Sequence, residues 1–429
     1  MSQPMRILLA LVVGLLLGLA SAGRGGWVES AIGIAEPIGG LWLTALQMTI
    51  VPLVVSLLIS GIAASAEAAR ANRLAARALI LFVALLWTSS IFSAILTPLL
   101  LQLWPMPVEA AQALRAALTA SEPVGQVPGF AEFLKSIVPK NPIAAAANDA
   151  ILPLIFFTAI FGFALTRLPA EPRLLLTGFF RAIADVMLVV IGWVLRLAPI
   201  GVLALAYVVG ARAGAAAFGA LLHYVIILSA VGIVIWLLAY PVAVVGGRVS
   251  LGGFARAVAP AQAVAISTQS SLASLPAMLR GAETLRVPVA ASGVVLPLAV
   301  AIFRVTGPAM NLAVVLYVAH WFGVEIGPTQ LMAGIAAAAI TTMGAVSLPG
   351  QVSFITSIAP IALAMGVPIE PLALLIAVET IPDIFRTLGN VTMDVAATAT
   401  VSRRSGFEPG DSEEDRLLSE WAPSEPARD

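Results

Sequence analysis

Cysteine is absent from this 429-residue chain. That removes disulfides, thiolate zinc sites, iron–sulfur clusters and cysteine nucleophiles. Histidine is nearly absent: His223 and His320 are the only imidazoles, and their distance in sequence argues against a His-based metal site. Lysine is confined to Lys135 and Lys140, and charged residues make up 11% of the chain, against roughly 25% in an ordinary soluble domain. The net charge is zero and no basic run lies outside short loops, which excludes nucleic acid as an expected partner. No Gly-x-Ser-x-Gly motif is present and neither histidine is near a candidate nucleophile in sequence, so the chain is not expected to be an enzyme.

What is there in abundance is apolar. Hydrophobic residues reach 60% and the mean hydropathy is +1.01, the composition of a protein that crosses a bilayer many times. Apolar segments near 5–22, 37–64, 77–104, 146–167, 176–208, 218–246, 288–322 and 370–401 predict eight transmembrane helices. The first of these, with Arg6 before it and Ala20-Ser21-Ala22 after it, imitates a cleavable signal peptide, but reads better as a short first span. Arginines gather at Arg70, Arg73 and Arg77, at Arg167, Arg173 and Arg181, at Arg248 and Arg256, and at Arg403 and Arg404. By the positive-inside rule those loops are cytoplasmic, as are both termini. The segment 105–145 reads as an external loop that re-enters the membrane, and 402–429 as a disordered, acidic cytoplasmic tail.

Two segments fit neither a span nor a loop. One, about 257–284, centres on Ser267-Thr268-Gln269-Ser270-Ser271-Leu272-Ala273-Ser274-Leu275-Pro276; the other, about 331–367, centres on Gly344-Ala345-Val346-Ser347-Leu348-Pro349-Gly350-Gln351. Apolar stretches broken by small hydroxylated residues, Gly and Pro suit re-entrant helical hairpins whose irregular tips line a cavity. Two helices kinked at proline are the alternative. The last apolar segment carries a polar stripe, Glu379, Asp383, Arg386, Asn390 and Asp394, spaced by four, three, four and four residues. On one helix all five fall on a single face. Each charge at such depth costs roughly 2.5–3.5 kcal/mol on insertion scales, so the face must line a protein-walled cavity or a solute pathway.

At these tips and at the stripe the chain resembles the dicarboxylate/amino acid:cation symporter family, which includes the glutamate transporters. The likeness extends over roughly 5–402. It rests on Leu41-Trp42-Leu43 through Met48 to Pro52-Leu53, on Pro139-Lys140-Asn141-Pro142, on Leu152-Pro153-Leu154-Ile155-Phe156-Phe157, and on Ala198-Pro199-Ile200-Gly201-Val202. Ser270 and Ser271 match a serine-rich tip in part, with Leu272 in place of a small polar residue. Most specific is Asp383-x-x-Arg386-Thr387-x-x-Asn390-x-x-x-Asp394.

The resemblance implies an all-α membrane protein with eight transmembrane helices and two re-entrant hairpins, a glutamate-transporter-like elevator. It implies a homotrimer in the cytoplasmic (inner) membrane, with no cofactor beyond a coupling Na+ or H+. A scaffold would comprise about 5–64 and 105–208, and a transport domain about 77–104 and 218–401, within a single unit of 1–401. The solute would be an acidic amino acid, aspartate or glutamate, with a C4-dicarboxylate as the alternative and an anion channel further behind. In this reading Arg386 anchors a carboxylate, Asp383 accepts the α-ammonium, and Asn390 binds the α-carboxylate with Ser270, Ser271 and Thr387 nearby. Val346 to Gly350 would form the lid, and Glu379 is either a partner of these groups or a proton carrier. A self-neutralising Asp383–Arg386 pair is the structural alternative.

The chain departs from the family at the seventh span. Sodium-coupled members carry Asn-Met-Asp-Gly-Thr where Phe303-Arg304-Val305-Thr306-Gly307 stands here. Asn390, Asp394, Thr88 and Ser89 remain as candidates for a cation site, with Na+ at Asp394 one expectation. Arg304 could replace the cation by pairing with Asp394, add a second anchor for substrate, or be structural.

Overall fold

In a computed structural model, the protein is described over residues 3–71, 73–106, 111–112, 135, 137–344 and 350–405. Among the described residues every regular element is helical. In chain order these are α1 (Gln3–Ser21), α2 (Gly26–Gln47), α3 (Ile50–Ala71), α4 (Arg73–Leu103), α5 (Pro142–Ala147), α6 (Ile151–Leu165), α7 (Ala170–Arg196), α8 (Ala198–Ala213) and α9 (Ala216–Pro241). After a π turn at Val242–Gly246 follow α10 (Leu251–Thr268), α11 (Ser271–Thr284), α12 (Val289–Ile302), α13 (Thr306–Phe322), α14 (Pro328–Gly344), α15 (Gly350–Met365), α16 (Leu372–Leu375) and α17 (Thr380–Arg404).

Among the described residues six stretches are long and apolar enough to cross a membrane: Gln3–Ser21, Gly26–Arg70, Arg73–Leu103, Ala170–Arg196, Ala216–Gly246 and Val289–Phe322. Two of the eight expected spans fall short for physical reasons. Helix α6 has 15 residues, a rise of only about 22 Å at 1.5 Å per residue. The segment 370–401 is divided between α16 and α17, and its polar stripe dilutes its hydropathy. Helix α17 also runs on through Arg404, past the expected start of the tail; the remainder of that tail and most of the 105–145 loop lie outside the described residues.

Several apolar segments that read as continuous are split, and prolines explain where. A proline has no N–H for the carbonyl four residues earlier, and its ring crowds that carbonyl. Pro52 disables Met48, where α2 gives way to α3; Pro199 disables Leu195, next to the α7–α8 junction at Leu197. Pro308 disables Arg304, which lies between α12 and α13, and Pro382 disables Val378, just ahead of α17. At Arg304 the freed carbonyl accepts from Gly307 N–H at 2.9 Å, a tighter turn in place of the lost bond.

Packing follows the membrane preference for small residues at crossings. Helix α1 lies along α8 with Gly14, Gly18 and Gly210 at the contact; a Cβ on Gly14 would stand 2.6 Å from the Leu203 carbonyl oxygen, and one on Gly210 2.5 Å from that of Leu15. This docking supports the first-span reading of residues 3–21. Helices α10 and α11 pack against each other as two arms, and α14 and α15 do the same. Helix α17 threads among α9, α10, α11, α12 and the π turn, so its polar stripe is enclosed by protein.

Candidate functional site

The stripe begins in a turn rather than in the helix, because Glu379 precedes the first residue of α17. From there it curls toward Arg386. The guanidinium places Nη2 2.6 Å from Glu379 Oε1, Nη1 2.7 Å from Asn311 Oδ1 and Nε 3.4 Å from Asp383 Oδ1. Tyr224 Oη donates to the other oxygen of Glu379 at 3.1 Å. One cation is thus held by two carboxylates and an amide from α13, with a tyrosine of α9 bracing the more buried acid.

Deeper along α17 the stripe meets the broken span. Asn390 Oδ1 accepts from the backbone N–H of Thr306 at 3.0 Å and lies 2.8 Å from its hydroxyl. That hydroxyl is also 2.9 Å from the Arg386 carbonyl oxygen. Asn390 therefore caps the start of α13 with its oxygen, leaving its amide nitrogen as the half free to donate among the described residues. Gly389 makes the approach fit: a Cβ there would stand 2.5 Å from Thr306 Cγ2. Thr387 is buried beside them.

Asp394 is 1% exposed, and both of its carboxylate oxygens are buried without a hydrogen-bond partner among the described residues. Arg304 lies at the break between α12 and α13, next to the Thr306 that Asn390 caps, and is a second cation in the same region as Asp383, Arg386 and Asp394. It makes no salt bridge with any of them among the described residues. A contact pair with Asp394, one of the three roles weighed for Arg304, is not formed among the described residues. Fully ionised, the three carboxylates of this cluster outnumber the two guanidinium groups by one charge.

The paired helices α10 and α11 adjoin the same region. Gln269 takes a left-handed conformation (φ 51°) that ends α10, and its Nε2 donates to the Thr380 carbonyl oxygen at 3.1 Å. Further down the arm, Gln262 Nε2 donates to Thr392 Oγ1 at 3.0 Å and to Tyr240 Oη at 3.2 Å. Ser270 caps α11, accepting from Ala273 N–H at 3.2 Å, and Ser271 opens that helix, partly buried. From α14 Thr342 reaches the break, within 3.0 Å of where a Gly307 Cβ would lie. Val346 lies outside the described residues, and Gly350 is the first residue of α15.

The two hydroxyl candidates on α4 part company. Ser89 is buried and donates to the Val305 carbonyl oxygen, inside the break. Thr88 is exposed and bonds back to Ala84 in its own helix, so the structure does not bring it to the cluster. Asn311, Tyr224 and Thr306 had not been singled out from the sequence. Each lies in a largely apolar stretch, and only the isolated Asn in Ala309-Met310-Asn311-Leu312 offers a hint.

A multi-pass membrane protein, helical in its described residues and with a buried charge cluster gathered at broken helices, has the features of a membrane transporter. The profile of the sodium:dicarboxylate symporter family matches residues 4–404, and the chain belongs to that family. Among its relatives, the proton/glutamate-aspartate symporter of Escherichia coli (strain K12) is 28% identical over 93% of this chain and 92% of that protein. The proton/sodium-glutamate symport protein of Bacillus caldotenax is 26% identical over 94% of each. The C4-dicarboxylate transport protein of Anaeromyxobacter sp. (strain K) is also 26% identical, over 94% of this chain and 89% of that protein.

Proposed function

We propose that this protein is a secondary active symporter that carries an acidic amino acid, aspartate or glutamate, across the cytoplasmic (inner) membrane. The observation that carries the reading is the partner set of Arg386. A guanidinium within the membrane-spanning fold, held by two acids and an amide, can exchange those partners for a substrate carboxylate without losing its compensation. The Asp383 contact, at 3.4 Å, is the longest of the three and the easiest to give up. Asp383 then takes the substrate ammonium, while the amide nitrogen of Asn390 and the hydroxyl of Ser271 receive the α-carboxylate. The other hairpin, through Val346 to Gly350, serves as the lid.

Charge supports coupling. The cluster is one negative charge in excess when fully ionised, and an acidic amino acid brings one more. Loading such a solute into a low-dielectric site demands at least one accompanying cation. Asp394, without a hydrogen-bond donor, is where a proton or sodium would do most good. Arg304 acts as a tethered positive charge at that place, so sodium dependence is reduced and a proton carries the coupling, as in the name of the Escherichia coli relative. The elevator arrangement of eight spans, two hairpins, a scaffold of about 5–64 and 105–208, a transport domain of about 77–104 and 218–401, and a homotrimer goes with this reading.

The test is radiolabelled aspartate uptake into proteoliposomes with sodium, potassium or choline outside and an imposed pH gradient. Saturable uptake driven by the pH gradient, weakly inhibited by succinate, is expected. Succinate displacing aspartate would favour the C4-dicarboxylate reading, which the Anaeromyxobacter relative keeps in view. Uptake that scales with several sodium ions would overturn the role given to Arg304, and a non-saturating flux would overturn the carrier.

A further inference from the structure

Away from the charged cluster, a cleft of about 290 Å³ opens between the last turns of α3, the end of α6 and the first turns of α7. Two guanidinium groups line it, Arg70 and Arg173, and each is held by a neutral carbonyl rather than an acid. Arg70 Nη2 donates to the Thr166 carbonyl oxygen, and Arg173 Nη1 to that of Leu168 at 3.4 Å. Glu67 also lines the cleft, but it forms no salt bridge with either arginine among the described residues. Segments 63–77 and 166–181 together carry six arginines against two glutamates, so the local field is strongly positive. Arg70 is pre-positioned by its carbonyl bond and keeps further N–H groups to offer, and Thr177 adds a hydroxyl.

The surroundings are apolar. Phe163, Leu174, Leu175 and Phe179 are all exposed around this end. Helix α7 is the least enclosed of the six membrane-crossing stretches, with 11% of its most apolar window buried. A cationic cleft at the end of a spanning helix, continued by an exposed apolar face, has the two-part chemistry of a phospholipid. Arginine forks match phosphate oxygens bidentately. We propose that this cleft binds the headgroup of an anionic phospholipid, with its phosphodiester between Arg70 and Arg173 and its acyl chains along α7. Inorganic phosphate shares the phosphoryl chemistry but cannot use the apolar face.

The experiment is native mass spectrometry of the delipidated full-length protein, titrated with phosphatidylglycerol, phosphatidylcholine or inorganic phosphate. Phosphatidylglycerol should bind roughly 30-fold more tightly than phosphatidylcholine, with about fivefold lost on Arg173→Gln. Arg173→Lys should recover part of that loss, and Arg256→Gln, on α10, should leave the first binding step unchanged. Equal binding of the two lipids, or indifference to Arg173→Gln, would overturn the proposal. Displacement of phosphatidylglycerol by equimolar inorganic phosphate would make this a free-anion site and overturn the lipid assignment. Loss of the bound lipid whenever two copies associate would give the face to a second copy, with the same consequence.

Discussion

Replacing Arg386 separates its work in the fold from its work on substrate. In Arg386→Met, Glu379 keeps only the hydroxyl of Tyr224, and Asp383 loses its ion pair. Removing one partner of a buried pair costs about 3–5 kcal/mol, because the remaining charge is left in a low-dielectric site. Adding Glu379→Gln removes the more buried of the two stranded charges while keeping an acceptor for Tyr224, so the double variant should recover part of the loss. Transport should not recover. Two charge-assisted hydrogen bonds to a carboxylate, at about 1.5–3 kcal/mol each, are worth at least a 100-fold in affinity. Tryptophan-monitored thermal unfolding in detergent reads the first effect and calorimetric aspartate binding the second. A double variant no more stable than Arg386→Met, or one that binds aspartate within about threefold of the parent, would refute the reasoning.

Other expectations follow from the same geometry. Arg304→Gln removes the tethered charge near Asp394, and uptake should gain a dependence on external sodium, read by a sodium titration at fixed pH. Asp383→Ser should cost aspartate about tenfold or more in affinity while leaving succinate less affected, measured by competition in proteoliposomes. Gly389→Ala places a Cβ 2.5 Å from Thr306 Cγ2, and overpacking of about 1–3 kcal/mol should lower both the unfolding temperature and the uptake rate.

Much of the candidate site was legible because charge in an apolar run is conspicuous and helical spacing is regular. Asp383, Arg386, Asn390 and Asp394 stand on α17 as their spacing required. Glu379 does not, because Pro382 keeps the carbonyl of Val378 out of the helix and the chain turns there. The same proline effect divided α2 from α3 and α12 from α13, a signal present in the sequence at Pro52 and Pro308. The partners of the stripe were harder to see. Tyr224 and Asn311 stand among other scattered polar residues on largely apolar helices, and nothing local says that both converge on one ion pair. That convergence is a property of how α9, α13 and α17 cross. That the oxygen of Asn390 is taken by Thr306 was hidden for a similar reason: only the break at Arg304 exposes an N–H that needs capping.

The two glutamines of α10 have a mechanical consequence. Gln269 and Gln262 lash that helix to α17 at Thr380 and Thr392, twelve residues apart on the same helix. Lifting α10 off α17 would sever both lashings, at about 0.5–1.5 kcal/mol each. Two such ties, set more than three turns apart, resist a rocking of one helix on the other as well as a separation of the pair.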